Sequence, residues 1–336
     1  MNKSEILLYD VTLRDGSHAL QHQLTKEQIV TYAKLADSAG LDVVEVGHGI
    51  GLGASSLQIG KSLLSDKEML TTARKHLNKA LLGIHVVPGY ATVSKDIAKA
   101  IDYGVDVVRI AAQCTEADTT EQHISYVREK GRRVYGGLMM SHMISPEMLV
   151  QEALKMESYG AEGITILDSA GTFLPDDVTQ RIGLLTASLK VPIGFHAHNN
   201  LGMAIANSLA AVQAGAHIVD GSISGFGGGA GNASLELLAS VFSKQNIKTN
   251  VNLYKLLDTA DLAQELFKVL PKITTSSIVS GMSGVVSVFS KPVARAAEIY
   301  NVDSRDIYFE LGRRGAIAGQ EDLIIEVAQT LAKKEK

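Results

Sequence analysis

The chain of 336 residues has little of what several protein classes require. It has one cysteine, so no disulfide can form within it. No apolar run reaches the roughly 18 residues that a membrane-spanning helix needs, and the first residues show neither a long apolar segment nor a cleavage site, so we expect no signal peptide. The net charge is −4 with no basic tract, which argues against nucleic acid or anionic membranes as partners. We expect a soluble, cytoplasmic protein.

What the chain does have is a repeated pattern over its first 244 residues. Short runs rich in valine and isoleucine alternate with amphipathic stretches of helical period. There are eight such runs: EILLYDV, LDVVEVGHG, ALLGIHVVPG, VDVVRIAA, RRVYGGLMMSH, AEGITILDSAG, VPIGFHAHN and HIVDGSISG. No pattern typical of an antiparallel hairpin separates them, which favours a parallel sheet buried on both faces. A doubly wound open sheet is an alternative, but eight units favour a closed (β/α)8 TIM barrel.

Local signals support the alternation of strands and helices. Thr25 and Gln28 have the spacing of a capping box at a helix start. Gly40, Gly160 and Gly215 each stand where a helix should end in the left-handed conformation. Beyond about residue 249 the pattern becomes mostly helical. We therefore predict a catalytic barrel domain at 1–248 and a helical C-terminal domain for communication or association at 249–336.

Polar residues follow the predicted strands, where the active site of such a barrel lies. In the seventh run, His196 and His198 are two apart and should face the same side of a strand. Two hydrogen-bonded structural histidines are the alternative to metal ligands. Asp15, after the first run, would complete a set of two histidines and one carboxylate, which suits a catalytic divalent ion such as Mn²⁺ or Mg²⁺, without excluding Fe, Co or Zn.

Arg14 and His18 flank this carboxylate in the sequence. Gly16 indicates that the strand has ended, so Arg14 need not point away from Asp15 and could hold a developing oxyanion. A simple ion pair that braces the barrel end is the alternative. His18 could be a base near neutral pH, or a loop histidine in solvent.

Other polar residues at strand ends allow weaker hypotheses. Glu45 and His48 could orient a ligand or a water, and Asp168 and Ser169 could contact substrate or cap the next helix. The stretch GFGGGAGN after the eighth run could cradle a phosphate or form a tight turn. We interpret Cys114 as buried and structural, because no group that would activate a thiolate can be assigned to it.

Several stretches together carry a specific resemblance. DVTLRDG and HAHNNLG resemble the signatures of the superfamily that includes hydroxymethylglutaryl-CoA lyase and isopropylmalate synthase. DVTLRDGSHAL, EVGHGIGLGASS, CTEAD, LMMSHM, KMESYGA, GGGAGNASLE and ELGRRGAIAGQED resemble the 4-hydroxy-2-oxovalerate aldolase family nearly from end to end. That resemblance implies a metal-dependent lyase that cleaves a 4-hydroxy-2-oxo acid into pyruvate and an aldehyde.

The resemblance also assigns roles to residues. It implies that Asp15, His196 and His198 bind the metal, usually Mn²⁺, with Mg²⁺ or Co²⁺ as alternatives. Arg14 would stabilise the pyruvate enolate, and His18 would take the proton from the C4 hydroxyl. No lysine suited to a Schiff base stands at a strand end, which agrees with the metal-dependent class.

Some positions depart from the family pattern and concern the substrate pocket. Met282 and Val286 stand in a segment where the family usually carries tyrosine, Ile50 replaces an acidic residue, and His85 stands in a strand that is usually leucine-rich. We expect Arg14, Ser169, His196 and His85 to contact the substrate, with His85 favouring a more polar or acidic aldehyde portion.

The family resemblance also implies partners. An acylating aldehyde dehydrogenase would receive the aldehyde, and the C-terminal domain favours an oligomer. Two other functions stay open from the sequence. One is an acyl-CoA-dependent synthase or CoA-ester lyase, although no basic cluster for the CoA phosphates is evident. The other is a non-catalytic subunit.

Overall fold

Eight parallel strands form a closed barrel in the computed structural model, which describes residues 5–334. Each strand pairs with the next in sequence, and the eighth closes onto the first. The (β/α)8 prediction is therefore confirmed. The strands are β1 (Leu7–Asp10), β2 (Val43–Glu45), β3 (Leu81–Val86), β4 (Val107–Gln113), β5 (Arg133–Met139), β6 (Ile164–Asp168), β7 (Ile193–Ala197) and β8 (Ile218–Gly221).

Helices surround the barrel and extend beyond it. Eight follow the strands: α1 (Lys26–Ala39), α2 (Asp66–Arg74), α3 (Ala98–Asp102), α4 (Glu121–Glu129), α5 (Pro146–Ser158), α6 (Pro175–Ser188), α7 (Ala204–Gln213) and α8 (Leu235–Lys244). The others are α9 (Leu253–Phe267), α10 (Thr275–Ser283), α11 (Ser290–Tyr300), α12 (Ser304–Arg313) and α13 (Asp322–Lys334). None of the helices described between residues 5 and 334 combines the length and apolarity needed to cross a bilayer.

The predicted helix ends are present. Thr25 and Gln28 form a reciprocal capping box at the start of α1. Gly40 ends that helix with a φ of 81°, and Gly160 and Gly215 follow α5 and α7 with φ values of 107° and 108°. Because L-residues with a side chain rarely adopt such angles, these glycines turn the chain back toward the next strand at no steric cost.

The apolar core lies on both faces of the strands, between barrel and helices and inside the barrel. Outward-facing strand residues pack under the helices in one large cluster. Inside the barrel a smaller cluster consists of Tyr9, Val11, Val43, Val107, Tyr135 and Ile218. Burial on both faces is the reason that the strands read as continuous apolar runs. Cys114 is buried, as expected, and its thiol contacts the carbonyl oxygen of Met140 at 3.2 Å.

The last helices divide between two cores. Helix α9 packs against α1, and Leu256, Ala260, Ala263 and Phe267 belong to the barrel cluster. A second cluster begins at Val279 and includes Phe289, Val293, Ile307 and Leu311. This packing supports a boundary within 268–274, later than the division at 248/249 that the sequence pattern suggests. We therefore propose two domains, a barrel domain that includes α9 and a helical domain, with their boundary within residues 268–274.

The second cluster sits against the C-terminal ends of the barrel strands. The side-chain amide of Asn200 donates to the carbonyl oxygen of Ser277 in α10 at 3.1 Å. After β5, Nε2 of His142 lies 3.0 Å from the carbonyl oxygen of Gly284, which ends α10. Helix α10 therefore lies against the face at which the predicted site lies.

Candidate active site

Three potential metal ligands meet at the C-terminal face of the barrel. Asp15, His196 and His198 each offer one ligand atom, and these atoms lie within 4.8 Å of one another. Asp15 begins a single 3₁₀ turn after β1. His196 lies in β7, and His198 comes directly after that strand. The spacing of two residues therefore places both imidazoles on one side, as the sequence indicates.

The two imidazoles present their Nε2 atoms to the same point. These atoms lie 3.4 Å apart. Nδ1 of His196 lies 3.0 Å from Oδ2 of Asp220, a carboxylate oxygen that only accepts, so we place the proton of this ring on Nδ1. Nε2 of His196 then carries a lone pair. Burial lowers the pKa of His198 to about 4, so the His198 ring is neutral at neutral pH and able to bind a metal.

Asp15 is held as an anion by its neighbours. Oδ1 accepts from Nη1 of Arg14 at 2.8 Å, and Oδ2 accepts from the side-chain amide of Asn232 at 2.8 Å. Burial alone would raise the pKa of Asp15, but Arg14 and the neighbouring histidines lower it well below its usual range. A carboxylate beside two imidazoles is a mixed oxygen and nitrogen donor set that suits a divalent ion.

Arg14 contacts two carboxylates and keeps one nitrogen without a partner. Its Nε donates to Oε2 of Glu45 at 2.7 Å, and its Nη1 also donates to the carbonyl oxygen of Gly49 at 3.0 Å. Nη2 is buried and has no hydrogen-bond partner within residues 5–334. The ion pair considered from the sequence is present, and the guanidinium still has a donor beside the candidate metal ligands.

His18 is packed against glycine and histidine and is not a solvent-exposed loop residue. Its ring lies edge-on to His22, with centroids 4.9 Å apart. A Cβ atom added at Gly49 would lie 2.5 Å from the His18 ring, so only glycine allows this approach. Burial lowers the pKa of His18, and Arg14 lowers it further, although Asp15 acts in the opposite direction. The imidazole is therefore neutral and able to accept a proton at neutral pH.

Known proteins match this chain over almost its whole length. The model of the HMGL-like family matches residues 5–263, and the model of the DmpG-like communication domain matches residues 271–333. A 4-hydroxy-2-oxovalerate aldolase of Pectobacterium atrosepticum is 56% identical over 98% of this chain and 96% of its own length. One of Spirochaeta aurantia is 56% identical over 98% and 97%.

The chain belongs to the HMGL-like 4-hydroxy-2-oxovalerate aldolase family. The resemblance found in its motifs is thereby confirmed. Among solved structures, the carboxyl transferase domain of Rhizobium etli pyruvate carboxylase has a TM-score of 0.81 at 15% identity. The match covers 99% of this chain and 61% of that one, and at this identity it supports the barrel fold alone.

The departures from the family pattern occupy different environments. His85 is buried near the C-terminal end of β3, and its Nδ1 lies 4.0 Å from Oε1 of Glu45. Burial and the neighbouring Arg14 lower the pKa of His85 well below its usual range, so the ring is neutral. Met282 is 60% exposed, and Val286 is half-buried. Of these three, His85 is the one enclosed among the charged groups of the site.

Ser169 and Asp168, after β6, have structural hydrogen bonds. The Ser169 hydroxyl accepts from the backbone nitrogen of Met140 at 3.0 Å, which leaves its own proton free to donate. The Asp168 carboxylate accepts from the backbone nitrogens of Thr172 and Phe173 at 2.9 and 3.2 Å, both in the loop before α6. Asp168 therefore braces this loop and does not cap the helix, whose N-cap residue is Leu174. The substrate contact of Ser169 stays a prediction.

The glycine-rich segment 225–231 borders the candidate metal ligands. Asn232, just after it, pairs with His198 through a backbone bridge. A Cβ atom added at Gly227 would lie 2.7 Å from Oδ2 of Asp15. The segment therefore needs glycine so that it can approach Asp15. Asn232 was missed by the sequence reasoning, although it ends the GFGGGAGN stretch that was singled out.

Two charged residues below the ligands were also missed. Arg109 in β4 and Asp220 in β8 are fully buried and form an ion pair inside the barrel. A charged residue within an apolar strand run is unusual. That signal was available in VDVVRIAA and HIVDGSISG and could have identified both.

Proposed function

We propose that this chain is a divalent-metal-dependent aldolase that cleaves a 4-hydroxy-2-oxo acid into pyruvate and an aldehyde. The observation that carries the proposal is the convergence of Arg14, Asp15, His18, His196 and His198 at one end of the barrel. The 56% identity to named 4-hydroxy-2-oxovalerate aldolases supports the reaction.

Asp15, His196 and His198 would hold the metal. Their spacing fits one ion, and the pairing of His196 with Asp220 leaves the required lone pair on Nε2. We propose Mn²⁺, with Mg²⁺ or Co²⁺ as alternatives, because a carboxylate with two imidazoles is compatible with each. When bound, the ion supplies a Lewis acid next to the substrate's keto group.

Arg14 would stabilise the negative charge that develops on the substrate during cleavage. Cleavage of the C3–C4 bond leaves its electron pair on the pyruvate portion as an enolate, which is then protonated at C3. The free Nη2 of Arg14 is buried, where a donor to a developing oxyanion has its largest effect. Glu45 and Asp15 hold the guanidinium from two sides, so it is already oriented before the reaction begins.

His18 would act as the base. A proton leaves the C4 hydroxyl as the C3–C4 bond breaks and the aldehyde carbonyl forms. The imidazole is kept neutral by burial, which is the protonation state that this role needs. The reaction balances without an oxidant or a reductant, so no redox cofactor is involved.

His196, Ser169 and His85 would complete the substrate site. The polar groups that would distinguish substrates are the hydroxyl proton of Ser169 and Nδ1 of His85, which has no hydrogen-bond partner among residues 5–334. We propose that His85 favours a polar or acidic aldehyde portion, because it replaces an apolar side chain with one that can form a hydrogen bond.

We further propose that the chain assembles with an acylating aldehyde dehydrogenase and forms an oligomer. The match of residues 271–333 to a communication domain supports such a partner. In that region Met282, Val288 and Ile299 are each more than half exposed, and apolar side chains of this kind are frequent at interfaces. When this protein is mixed with an acylating aldehyde dehydrogenase, size-exclusion chromatography should show one peak that contains both proteins. Two separate peaks would contradict the proposal.

The reaction is tested by incubating the protein with Mn²⁺ and racemic 4-hydroxy-2-oxovalerate while pyruvate is followed with lactate dehydrogenase. A chelated sample and Arg14→Ala run beside it, with Arg305→Ala as the control, since Arg305 pairs with Asp303 on an exposed surface. Pyruvate that requires metal and Arg14 supports the proposal. Metal binding without pyruvate from this or more polar 4-hydroxy-2-oxo acids contradicts it, and acyl-CoA donors would then be tested.

A further inference from the structure

We propose that Asp220 and Arg109 form a positioning unit that fixes the orientation and the protonated nitrogen of His196 for metal binding. The inference rests on the proposed function, since it takes His196 as a metal ligand. Neither residue is expected to touch the substrate. Both act through the imidazole above them.

The barrel register brings Asp220 to His196. Strands β7 and β8 pair Gly194 with Ile218 and Phe195 with Val219, so the next pair along is His196 and Asp220. Both side chains point into the barrel, and Nδ1 of His196 lies 3.0 Å from Oδ2 of Asp220. A histidine whose second nitrogen donates to a carboxylate has a fixed ring plane and one defined lone pair.

Arg109 in turn fixes the carboxylate. Its Nη2 donates to Oδ1 of Asp220 at 2.9 Å, and its Nη1 contacts Oδ2. The Cζ atom of Arg109 lies 3.8 Å from the centroid of the Tyr9 ring, which holds the guanidinium from below. A two-point contact between planar groups leaves the carboxylate little freedom to rotate.

Stability alone does not account for this pair. Removing two charges from water is costly, and apolar residues of similar volume often serve a core as well as a buried ion pair does. The pair lies between the apolar inner cluster, to which Tyr9 belongs, and the metal-ligand group. Its place directly beneath a ligand is what a positioning role requires.

The contacts of Asp220 decide which nitrogen of His196 carries a proton. Both of its oxygens face donor nitrogens of Arg109, an arrangement in which the group accepts. The ring nitrogen that faces it, Nδ1, is therefore the one that carries a proton, and Nε2 faces His198.

Replacement of Asp220 by asparagine should disturb this arrangement in a specific way. The carboxylate offers two oxygens to three donor nitrogens, two on Arg109 and one on His196. An amide offers only one oxygen, and its NH₂ group must face either Arg109 or Nδ1 of His196. The Arg109→Met change removes the competing donors, so the amide oxygen can again accept from His196.

The test compares Mn²⁺ affinity by competition with a chelating indicator. Asp220→Asn should weaken binding about 10- to 100-fold, as expected for loss of a group that orients a ligand. The double variant Asp220→Asn/Arg109→Met should recover most of that loss. Thermal melting confirms that each variant folds. Unchanged affinity in Asp220→Asn, or a double variant weaker than the single one, overturns the inference.

A His196→Gln variant separates this inference from the proposed function. If His196→Gln binds Mn²⁺ as tightly as the unaltered protein, the metal site itself is wrong and both proposals fall. If His196→Gln loses affinity and Asp220→Asn does not, the positioning role alone is wrong.

A measurement on the unaltered protein tests the inference even if Asp220→Asn and the double variant fail to fold. In metal-free protein with ¹⁵N-labelled histidine, the His196 ring should show a proton-bearing Nδ1 and a bare Nε2. Its signals are assigned by their loss in His196→Gln. A proton on Nε2 would overturn the inference.

Discussion

Two pairs of histidines lie at the same end of the barrel but differ in the groups that their ring nitrogens contact. His196 and His198 face Asp15 with their Nε2 atoms 3.4 Å apart. His22 and His48 are stacked with ring centroids 3.6 Å apart and are bound mainly to backbone. Burial lowers the pKa of His22 to about 3 and that of His48 to about 4.

The difference lies in what each ring nitrogen meets. Nδ1 of His48 accepts from the backbone nitrogen of Ile50 at 3.1 Å, and its Nε2 lies 3.2 Å from the carbonyl oxygen of Gly60. Nδ1 of His22 lies 3.3 Å from both the backbone nitrogen of Gly49 and the Ser17 hydroxyl. Burial does not separate the two pairs, since it lowers the pKa of His198 as it does those of His22 and His48. What separates them is that the first pair is grouped with a carboxylate, that of Asp15. A neutral, buried histidine is thus not by itself a ligand.

The largest effect is expected when one histidine of the first pair is replaced. His198→Gln should weaken Mn²⁺ binding more than about 1,000-fold, because loss of a ligand exceeds the 10- to 100-fold effect of the groups around it. Pyruvate formation should be abolished at micromolar Mn²⁺. The control is His48→Gln, which should keep Mn²⁺ affinity within about threefold. Equal losses in the two variants, measured by indicator competition, would contradict the distinction between the pairs.

The next effect concerns His18, whose ring packs against the second pair and for which we propose the role of base. His18→Gln should lower kcat about 100- to 1,000-fold, since a positioned base contributes on that scale. Mn²⁺ affinity should stay unchanged. His22→Gln, the control on the adjacent ring, should lower kcat much less. A His18→Gln variant with kcat near that of the unaltered protein would exclude the base role.

The second pair should control the acid stability of the fold. An unfolded histidine has a pKa near 6.5, so below that pH the unfolded chain binds protons that the folded His22 and His48 refuse. The free energy of unfolding should then fall as pH drops from 6.5 toward 4, by up to about 1.4 kcal/mol per pH unit for each ring. Urea unfolding of metal-free protein at pH 7, 6 and 5 measures the slope.

A variant with both rings replaced by glutamine should show a shallower fall in stability over the same pH range. Other groups titrate there too, so the difference between the two slopes is the quantity that reports on the pair. Parallel slopes would mean that the stacked histidines are not the origin of the acid sensitivity.

The smallest expected effect concerns His85, a buried histidine of neither pair. His85→Leu should shift the ratio of kcat/KM for an acidic against an apolar aldehyde portion about 10-fold toward the apolar one, because a hydrogen-bonding group is lost. Mn²⁺ affinity should not change. An unaltered substrate profile would show that His85 does not contact the variable part of the substrate.

Much of the fold could be predicted because its signals are local. Each strand run, the Thr25 capping box and the turn at Gly40 depend on residues close in sequence. The pair His196 and His198 is local too, since strand alternation alone places both on one side. Asp15 could be added because all parallel strands end at one face.

The missed residues depend on closure of the barrel. Asp220 meets His196 only because β7 and β8 are neighbours in register, and Arg109 reaches Asp220 across the interior, 111 positions away. Asn232 contacts Asp15 over 217 positions. The apolar face of α9 fits α1 for the same reason. Such contacts follow from packing, which no local pattern specifies.

The most direct measurement is a crystal structure of the protein soaked in Mn²⁺, with the metal located by its anomalous signal. The account predicts one strong peak bound by Asp15 and by the Nε2 atoms of His196 and His198, and none at His22 or His48. A peak at the stacked pair, or no peak among the three ligands, would contradict it.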